Sequence, residues 1–306
     1  MKKISVRGRL ISELIEDITA TSIGEVFPTG EIYKEPKEPK WICPLNYKNQ
    51  VIKRENFKME LLSPIGKKSG IVVLQLHGGG FIGVLRNAYR RFAVQYSKRC
   101  QGGYVLTPDY RVAPEHPFPA ALEDALDAYL WLIEEKQINP QRIIIAGDSA
   151  GGGLALSLGL YLKDHELPMP AGFLLMSPFT DFTLSGESLS YNYEKDPLFG
   201  RSTNNMIYNS PYPGEHDVTD PYLSPLFGDY HGFPPMLFQA GESEVLLDDT
   251  KRVAKKAVKS GTKVRCTIYP QMFHVFQMGL GLLPESRDAW EEIGEFLKRT
   301  VLKEKH

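Results

Sequence analysis

A serine stands between two glycines in the run Gly147-Asp148-Ser149-Ala150-Gly151, directly after the apolar segment RIIIA. A serine on a sharp turn from a strand into a helix presents its hydroxyl above the sheet, and glycines avoid the clashes of so tight a turn. The run lacks the Gly-Lys-Ser/Thr ending of a phosphate-binding loop, and it does not fit the G-x-G-x-x-G turn of dinucleotide-binding folds. The pattern therefore predicts that Ser149 is a nucleophile.

A second glycine-rich turn, HGGGF at residues 77–81, follows the apolar run IVVLQL. Backbone N–H groups in such a loop, together with the N–H of Ala150, can bind the oxyanion of a tetrahedral intermediate. Glycines leave these donors unobstructed. We interpret His77 as a structural residue that hydrogen-bonds the loop, because it belongs to the turn itself and precedes any nucleophile.

A serine hydroxyl is a poor nucleophile at neutral pH and needs a general base. Where a serine follows a strand in this way, the chain order is serine, acid, histidine, and the histidine follows the last strand. Of the seven histidines, His274 fits best, because it lies just past the predicted strand VRCTIY. The others lie in the glycine-rich loop, in polar turns, in or beside an aromatic insertion, or at the C-terminus.

The acid that orients the histidine should follow the strand MLFQ, where four carboxylates lie within residues 242–249. Asp248 and Asp249 are predicted to begin the next helix, where negative charge favours the helix dipole. Glu242 and Glu244 remain, and in an extended chain their spacing of two residues places both on the same side. The residues alone therefore leave both glutamates open.

Short apolar strands alternate with helices along most of the chain, which indicates a parallel sheet covered on both faces. Residues 51–62 alternate well enough for one or two antiparallel strands. The predicted strands are Ile71–Leu76, Tyr104–Thr107, Arg142–Ala146, Phe173–Met176, Met236–Gln239 and Val264–Tyr269, and the predicted helices are Asn87–Cys100, Ala120–Glu135, Leu154–Lys163, Asp248–Ser260 and Ala289–Val301.

Residues 179–233 interrupt this alternation with many tyrosines, prolines, asparagines and aspartates. The insertion is too long for a simple connector and too aromatic for a disordered segment. We therefore predict that it folds over the sheet as a lid. Leu10, Leu14, Ile15 and Ile18 fall at helical spacing and predict an N-terminal helix that joins the lid.

The composition is that of a globular protein: 306 residues, 42% hydrophobic and 24% charged, with a formal net charge of −1. This balance gives no basic field for nucleic acid, and no stretch approaches the roughly 20 apolar residues of a membrane span. Cys43, Cys100 and Cys266 have no paired metal-binding spacing, and an odd number cannot form a complete disulfide framework. We predict a cytoplasmic location; the sequence leaves a homodimer open.

Together these motifs resemble the hormone-sensitive-lipase-like branch of the α/β-hydrolases, which includes many microbial esterases. The resemblance rests on HGGGF, on DYRVAPEHPFPA at residues 109–120, on GDSAGG, on SPLF with FPP, and on HVF. It implies an α/β-hydrolase fold, with a mostly parallel eight-stranded sheet flanked by helices and a mostly helical cap. Residues 1–45 and 181–230 would form the cap, and residues 46–180 and 231–306 the core.

The resemblance also implies hydrolysis of carboxylic esters with short or medium acyl chains, through an acyl-enzyme and without a cofactor. The acid of the family is commonly aspartate, and glutamate is a known alternative at that position. An amidase or peptidase on the same fold remains an alternative, whereas a small-molecule receptor is disfavoured because it typically lacks a working base. By motif position, the functional residues fall on Ser149, Glu244 and His274 for the triad and on Gly78, Gly79 and Ala150 for the oxyanion hole.

Overall fold

The computed structural model describes residues 4–11 and 38–302, and it contains one eight-stranded sheet. The strand order is β1-β2-β4-β3-β5-β6-β7-β8, in which β2 is antiparallel to β1 and β4 and all other neighbours are parallel. The predicted α/β fold with a mostly parallel sheet is therefore confirmed. The strands are β1 Tyr47–Lys53, β2 Lys58–Pro64, β3 Val72–Leu76, β4 Tyr104–Asp109, β5 Ile143–Asp148, β6 Gly172–Met176, β7 Met236–Gly241 and β8 Val264–Tyr269.

Helices cover both faces of the sheet, and alternate strand residues pack against them. In β5, Ile143 and Ile145 belong to the larger apolar core on one face, whereas Ile144 and Ala146 belong to the core on the other. This period of two is what a strand buried on both sides requires. The longer helices are Asn87–Arg99, Ala120–Leu130, Ala150–Asp164, Leu247–Lys259 and Pro284–Thr300, with Trp131–Glu135 continuing the second as a π-helix.

Two helices begin earlier in the chain than their composition predicts. One begins at Ala150 although glycines fill residues 151–153. Glycine is needed at these three positions because the backbone packs so closely there that side chains would clash. The last begins at Pro284, where the fixed φ of proline suits a first helical position and its missing N–H costs no intrahelical bond. Both differences lie at helix ends, where tertiary contacts override composition.

The lid segment contains little helix, which corrects the expectation of a mostly helical cap for residues 181–230. Only Ser188–Tyr191 is α-helical there, and Pro225–Phe227 forms a 3₁₀ turn. Prolines recur through the segment, and aspartate side chains accept N–H bonds two residues ahead at Asp181 and Asp217, which stabilises turns instead of helix. Most of residues 1–45, including Leu14, Ile15 and Ile18, lies outside the described ranges, so the boundaries of the cap remain predictions.

No helix within residues 4–11 and 38–302 is long and apolar enough to cross a membrane.

Candidate active site

Ser149 lies on the turn between β5 and the helix that begins at Ala150, in a backbone conformation that few serines adopt. Its φ is 53° and its ψ is −124°, a region that is sparsely populated for residues with a side chain. A Cβ on Gly147 would overlap the carbonyl of Gly151, and one on Gly151 would overlap the carbonyls of Leu76 and His77. Only glycine therefore fits at positions 147 and 151.

The glycine-rich loop after β3 passes beside this turn. Gly79 has φ +111°, and a Cβ on Gly78 would lie 2.5 Å from Oδ2 of Asp148. The Gly78 N–H is one of the groups that favour the charged form of the Asp148 carboxylate. Among the described residues, no acceptor binds the N–H of Gly79 or of Ala150. Of the three residues expected to supply oxyanion donors, Gly78 thus packs against Asp148, and the N–H groups of Gly79 and Ala150 have no acceptor among the described residues.

His77 supports the loop from within. It is fully buried, its Nδ1 lies 2.8 Å from the carbonyl oxygen of Gly78, and its ring stacks on Tyr110 with centroids 4.2 Å apart. The Tyr110 hydroxyl donates to the His77 carbonyl at 2.5 Å. Burial lowers the pKa of His77 to about 4, so the ring is neutral at pH 7. These contacts are those of a structural residue.

His274 and Glu244 meet at the carboxyl ends of β7 and β8. His274 Nδ1 lies 3.3 Å from Glu244 Oε2, and the two side chains are 4% and 0% exposed. The loops that carry them pack together because Gly241 has no side chain, and a Cβ there would lie 2.6 Å from the Phe273 carbonyl oxygen. The structure therefore brings Glu244, of the two open glutamates, to His274.

The other three carboxylates of this segment have different partners. Glu242 is exposed and accepts the N–H of Gln271 at 3.0 Å. Asp248 accepts the N–H of Ser188 at 3.0 Å, and buried Asp249 accepts the N–H of Thr180 at 2.7 Å. The two aspartates do lie in the first turn of the helix Leu247–Lys259, but their hydrogen bonds hold the chain that follows β6.

Two hydrogen bonds at the end of β6 link Ser149 to the loop of His274. The Ser149 N–H donates to the Met176 carbonyl at 2.9 Å, and the next residue, Ser177, accepts the N–H of Val275 at 3.2 Å through its hydroxyl. Val275 has φ 48°, which is an outlier for a β-branched residue. Neither ring nitrogen of His274 makes a hydrogen bond of regular geometry within the described residues; catalytic hydrogen bonds are often long in unliganded enzymes.

The charges around His274 are negative. Burial alone would lower its pKa, but the adjacent carboxylate of Glu244, with the charges of Asp196 and Asp148, raises the pKa of His274 above its ordinary value. Burial likewise raises the pKa of Asp148 to about 7, against the opposing effects of His274 and the Gly78 N–H. A buried base surrounded by carboxylates is suited to take up a proton.

The lid segment contributes side chains that sequence reasoning missed. The ring of Phe199 lies edge-on to His274 with centroids 5.1 Å apart. Met206 covers the oxyanion loop, since a Cβ on Gly80 would fall 2.7 Å from its Cγ. Asp196 binds the backbone next to Glu244. No motif marks these residues, because each meets its partner from a distant part of the chain.

A family model described as the alpha/beta hydrolase fold matches residues 73–278. The chain belongs to the α/β-hydrolase family. An esterase of Acinetobacter venetianus is 39% identical over 225 residues, which cover 74% of each chain. An acetyl-hydrolase of Streptomyces hygroscopicus is 35% identical over 292 residues, covering 94% of this chain and 95% of the relative.

Solved structures place this α/β-hydrolase more narrowly. An esterase from the bacterial hormone-sensitive lipase family superposes with a TM-score of 0.82 and 30% identity, covering 98% of this chain and all of that one. An esterase/lipase from an uncultured bacterium superposes with a TM-score of 0.84, also at 30% identity. The resemblance to the hormone-sensitive-lipase-like branch is thereby confirmed.

Proposed function

We propose that this α/β-hydrolase cleaves carboxylic esters of short or medium acyl chains through an acyl-enzyme formed on Ser149. The observation that carries the proposal is that the strained turn at Ser149 and the loop of the buried pair His274 and Glu244 are both hydrogen-bonded to the end of β6, at Met176 and Ser177. The relatives are named as an esterase, an acetyl-hydrolase and a carboxylesterase. These names confirm the predicted reaction class, that of a carboxylesterase.

In the proposed reaction, Ser149 Oγ forms a bond to the ester carbonyl carbon while its proton passes to Nε2 of His274. Glu244 keeps the imidazole oriented through Nδ1–H and stabilises the imidazolium. The carbonyl oxygen becomes an oxyanion that accepts the N–H groups of Gly79 and Ala150, an effect worth roughly 3–4 kcal/mol per donor in a studied protease. Gly78, the third residue expected to supply a donor, packs against the Asp148 carboxylate instead.

Collapse of the tetrahedral intermediate breaks the bond to the alcohol, which leaves with the proton that His274 holds. Water then attacks the acyl carbon by the same route: His274 removes its proton, and Ser149 is regenerated as the carboxylic acid departs. Both half-reactions thus use the same hydroxyl, the same imidazole and the same pair of N–H groups.

The test is an ester panel graded by acyl length, run on the wild type and Ser149→Ala. We expect the variant to retain less than about a thousandth of the activity, since losing such a serine costs roughly a million-fold elsewhere. Ser260→Ala, a serine at the end of a distant helix, is the matched control and should be fully active. Hydrolysis that persists in Ser149→Ala would reject the mechanism, and faster cleavage of a matched anilide would favour the amidase alternative.

We also propose a cytoplasmic location. It rests on the three cysteines, all of which are free thiols, since disulfides are rare in reducing compartments. Recovery of the native protein from an exported fraction would contradict this prediction. Whether the protein is a homodimer is decided by its mass in solution.

A further inference from the structure

Asp196 is a buried carboxylate of the lid segment whose two oxygens serve two parts of the chain. Oδ1 accepts the N–H groups of Leu198 at 2.8 Å and Phe199 at 3.1 Å, whereas Oδ2 accepts the N–H of Val245 at 2.7 Å. The side chain is 2% exposed. An amide has only one acceptor atom, so only a carboxylate can satisfy donors on both sides.

The bond to Val245 fixes the backbone that carries the proposed acid, because Val245 directly follows Glu244. A neighbour in the same segment acts on this backbone as well. The side-chain amide of Asn192 donates to the carbonyl oxygens of Glu242 and Glu244, both at 2.9 Å. Residues 192–199 therefore hold the loop that carries Glu244 through both its N–H and its carbonyl groups.

The bonds to Leu198 and Phe199 fix the ring that contacts the proposed base. Phe199 lies edge-on to His274, with an interplanar angle of 73°. The turn beyond it is tight, since a Cβ on Gly200 would fall 2.5 Å from the Asp196 carbonyl oxygen. The same carboxylate thus reaches the acid through one oxygen and the neighbour of the base through the other.

The hydrogen-bond partners of Asp196 among the described residues are backbone N–H groups, and none of them carries a positive charge. The groups whose charges act on His274 are Glu244, Asp196 and Asp148, all carboxylates. Burial raises the pKa of Asp196, while the N–H of Val245 and the His274 imidazolium lower it. A protonated His274 is therefore the cation that Asp196 stabilises, and this protonation occurs during ester hydrolysis.

We propose that Asp196 is a positioning residue of the esterase site: it ties the lid to the backbone beside Glu244 and supplies negative charge that favours the imidazolium of His274. The inference rests on the proposed function, because it assigns Asp196 a role only if His274 is the base. It also explains why the lid segment, which contains almost no helix, is hydrogen-bonded to the loop that carries Glu244.

The test is the pH dependence of kcat/KM for p-nitrophenyl butyrate in Asp196→Asn, with active sites counted by an organophosphonate. We expect the apparent pKa of the acid limb to fall by about half a unit or more, because a charge near His274 is lost. We also expect kcat/KM to fall at least about tenfold, because the backbone that carries Glu244 shifts. Glu194→Gln, which removes an exposed carboxylate from the same segment, should change neither quantity.

A shifted acid limb together with lowered activity supports the inference. An unshifted limb overturns it, whether or not activity falls, because a purely structural residue would lower the rate without changing the basicity of His274. If Asp196→Asn does not melt cooperatively, Asp196→Ser gives the same comparison with a smaller neutral acceptor. Ser149→Ala runs in parallel: activity surviving in that variant means that the proposed function has failed, independently of Asp196.

Discussion

Nδ1 of His274 lies 3.3 Å from Oε2 of Glu244, in a place from which solvent is almost wholly excluded. Glu242, two residues earlier, is exposed and faces the N–H of Gln271 instead. The two glutamates do not share a side, because the chain leaves its extended form after Gly241 and turns into the helix that begins at Leu247.

The first prediction compares these two glutamates. Glu244→Gln removes the charge that supports the imidazolium, a change that cost about ten-thousand-fold in a related triad, so we expect turnover to fall at least a hundredfold. Glu242→Gln should stay within about tenfold, or roughly 1.4 kcal/mol. Steady-state turnover of a soluble ester measures both, and thermal melting checks that both variants fold. A crippled Glu242→Gln beside an active Glu244→Gln would transfer the assignment to Glu242.

Most of the core could be predicted from sequence because apolar runs mark it directly. The buried strands β5 and β6 are apolar runs, and each was expected within two residues of its observed ends. The lid could not be predicted as well. Its turns are stabilised by aspartate side chains such as Asp181 and Asp217, and these contacts produce no periodicity.

Some residues of the candidate site could likewise be predicted from sequence, and others could not. Ser149 and His274 have local signatures, one in the glycines around it and the other in its position after the last strand. The choice between Glu242 and Glu244 required the three-dimensional structure, because a spacing of two residues places both on one side of an extended chain and so cannot separate them. The contacts of Asp196 with Val245 and of Met206 with Gly80 join residues about 50 or more positions apart, and no local pattern records them.

The second prediction concerns the pH dependence of activity. Ester hydrolysis needs neutral His274, and its pKa is raised by Glu244 and the nearby aspartates. The acid limb of kcat/KM should therefore have its midpoint above about 6.5, the ordinary value for histidine. In Glu244→Gln the midpoint should move to lower pH. A wild-type limb well below the ordinary histidine value would show that these charges do not act on the base.

The third prediction concerns the pH dependence of stability. Burial raises the pKa of Asp148 and of Asp249 to about 7, so between pH 4 and 7 the folded chain binds more protons than the unfolded chain. Stability that depends on such protons is present at low pH and is lost as the pH rises through the folded pKa. The raised pKa of His274 acts in the same direction, whereas the lowered pKa of His77 opposes part of this change. We expect Tm to fall on the order of 5 °C between pH 5.5 and 8.

Melting in buffers of constant ionic strength measures this change. Asp148→Asn should flatten the decline, because a neutral amide has no proton to lose at this position. Glu115→Gln, a substitution at an exposed glutamate, should leave the slope unchanged. A wild-type Tm that rises steadily from pH 5.5 to 8 would mean that the two buried aspartates are ionised throughout.

The fourth prediction tests whether Met206 limits the length of the acyl chain. Its side chain occupies the space over Gly80 in the oxyanion loop, and it is only partly buried, so it can border a bound substrate. Met206→Ala removes the thioether and opens that space. Because each additional methylene in an apolar pocket contributes about 1–3 kcal/mol, we expect the octanoate-to-acetate ratio of kcat/KM to rise at least about tenfold.

Met206→Leu, which nearly conserves volume, should keep the wild-type ratio. The alcohol group must be held constant across the acyl series, and a second series with a fixed acetyl group and longer alcohols separates the two sides of the ester. If Met206→Ala changes only the alcohol series, Met206 borders the leaving group and something else limits the acyl chain. If neither series changes, the contact with Gly80 only supports the oxyanion loop, and the acyl site lies on the other side of Ser149.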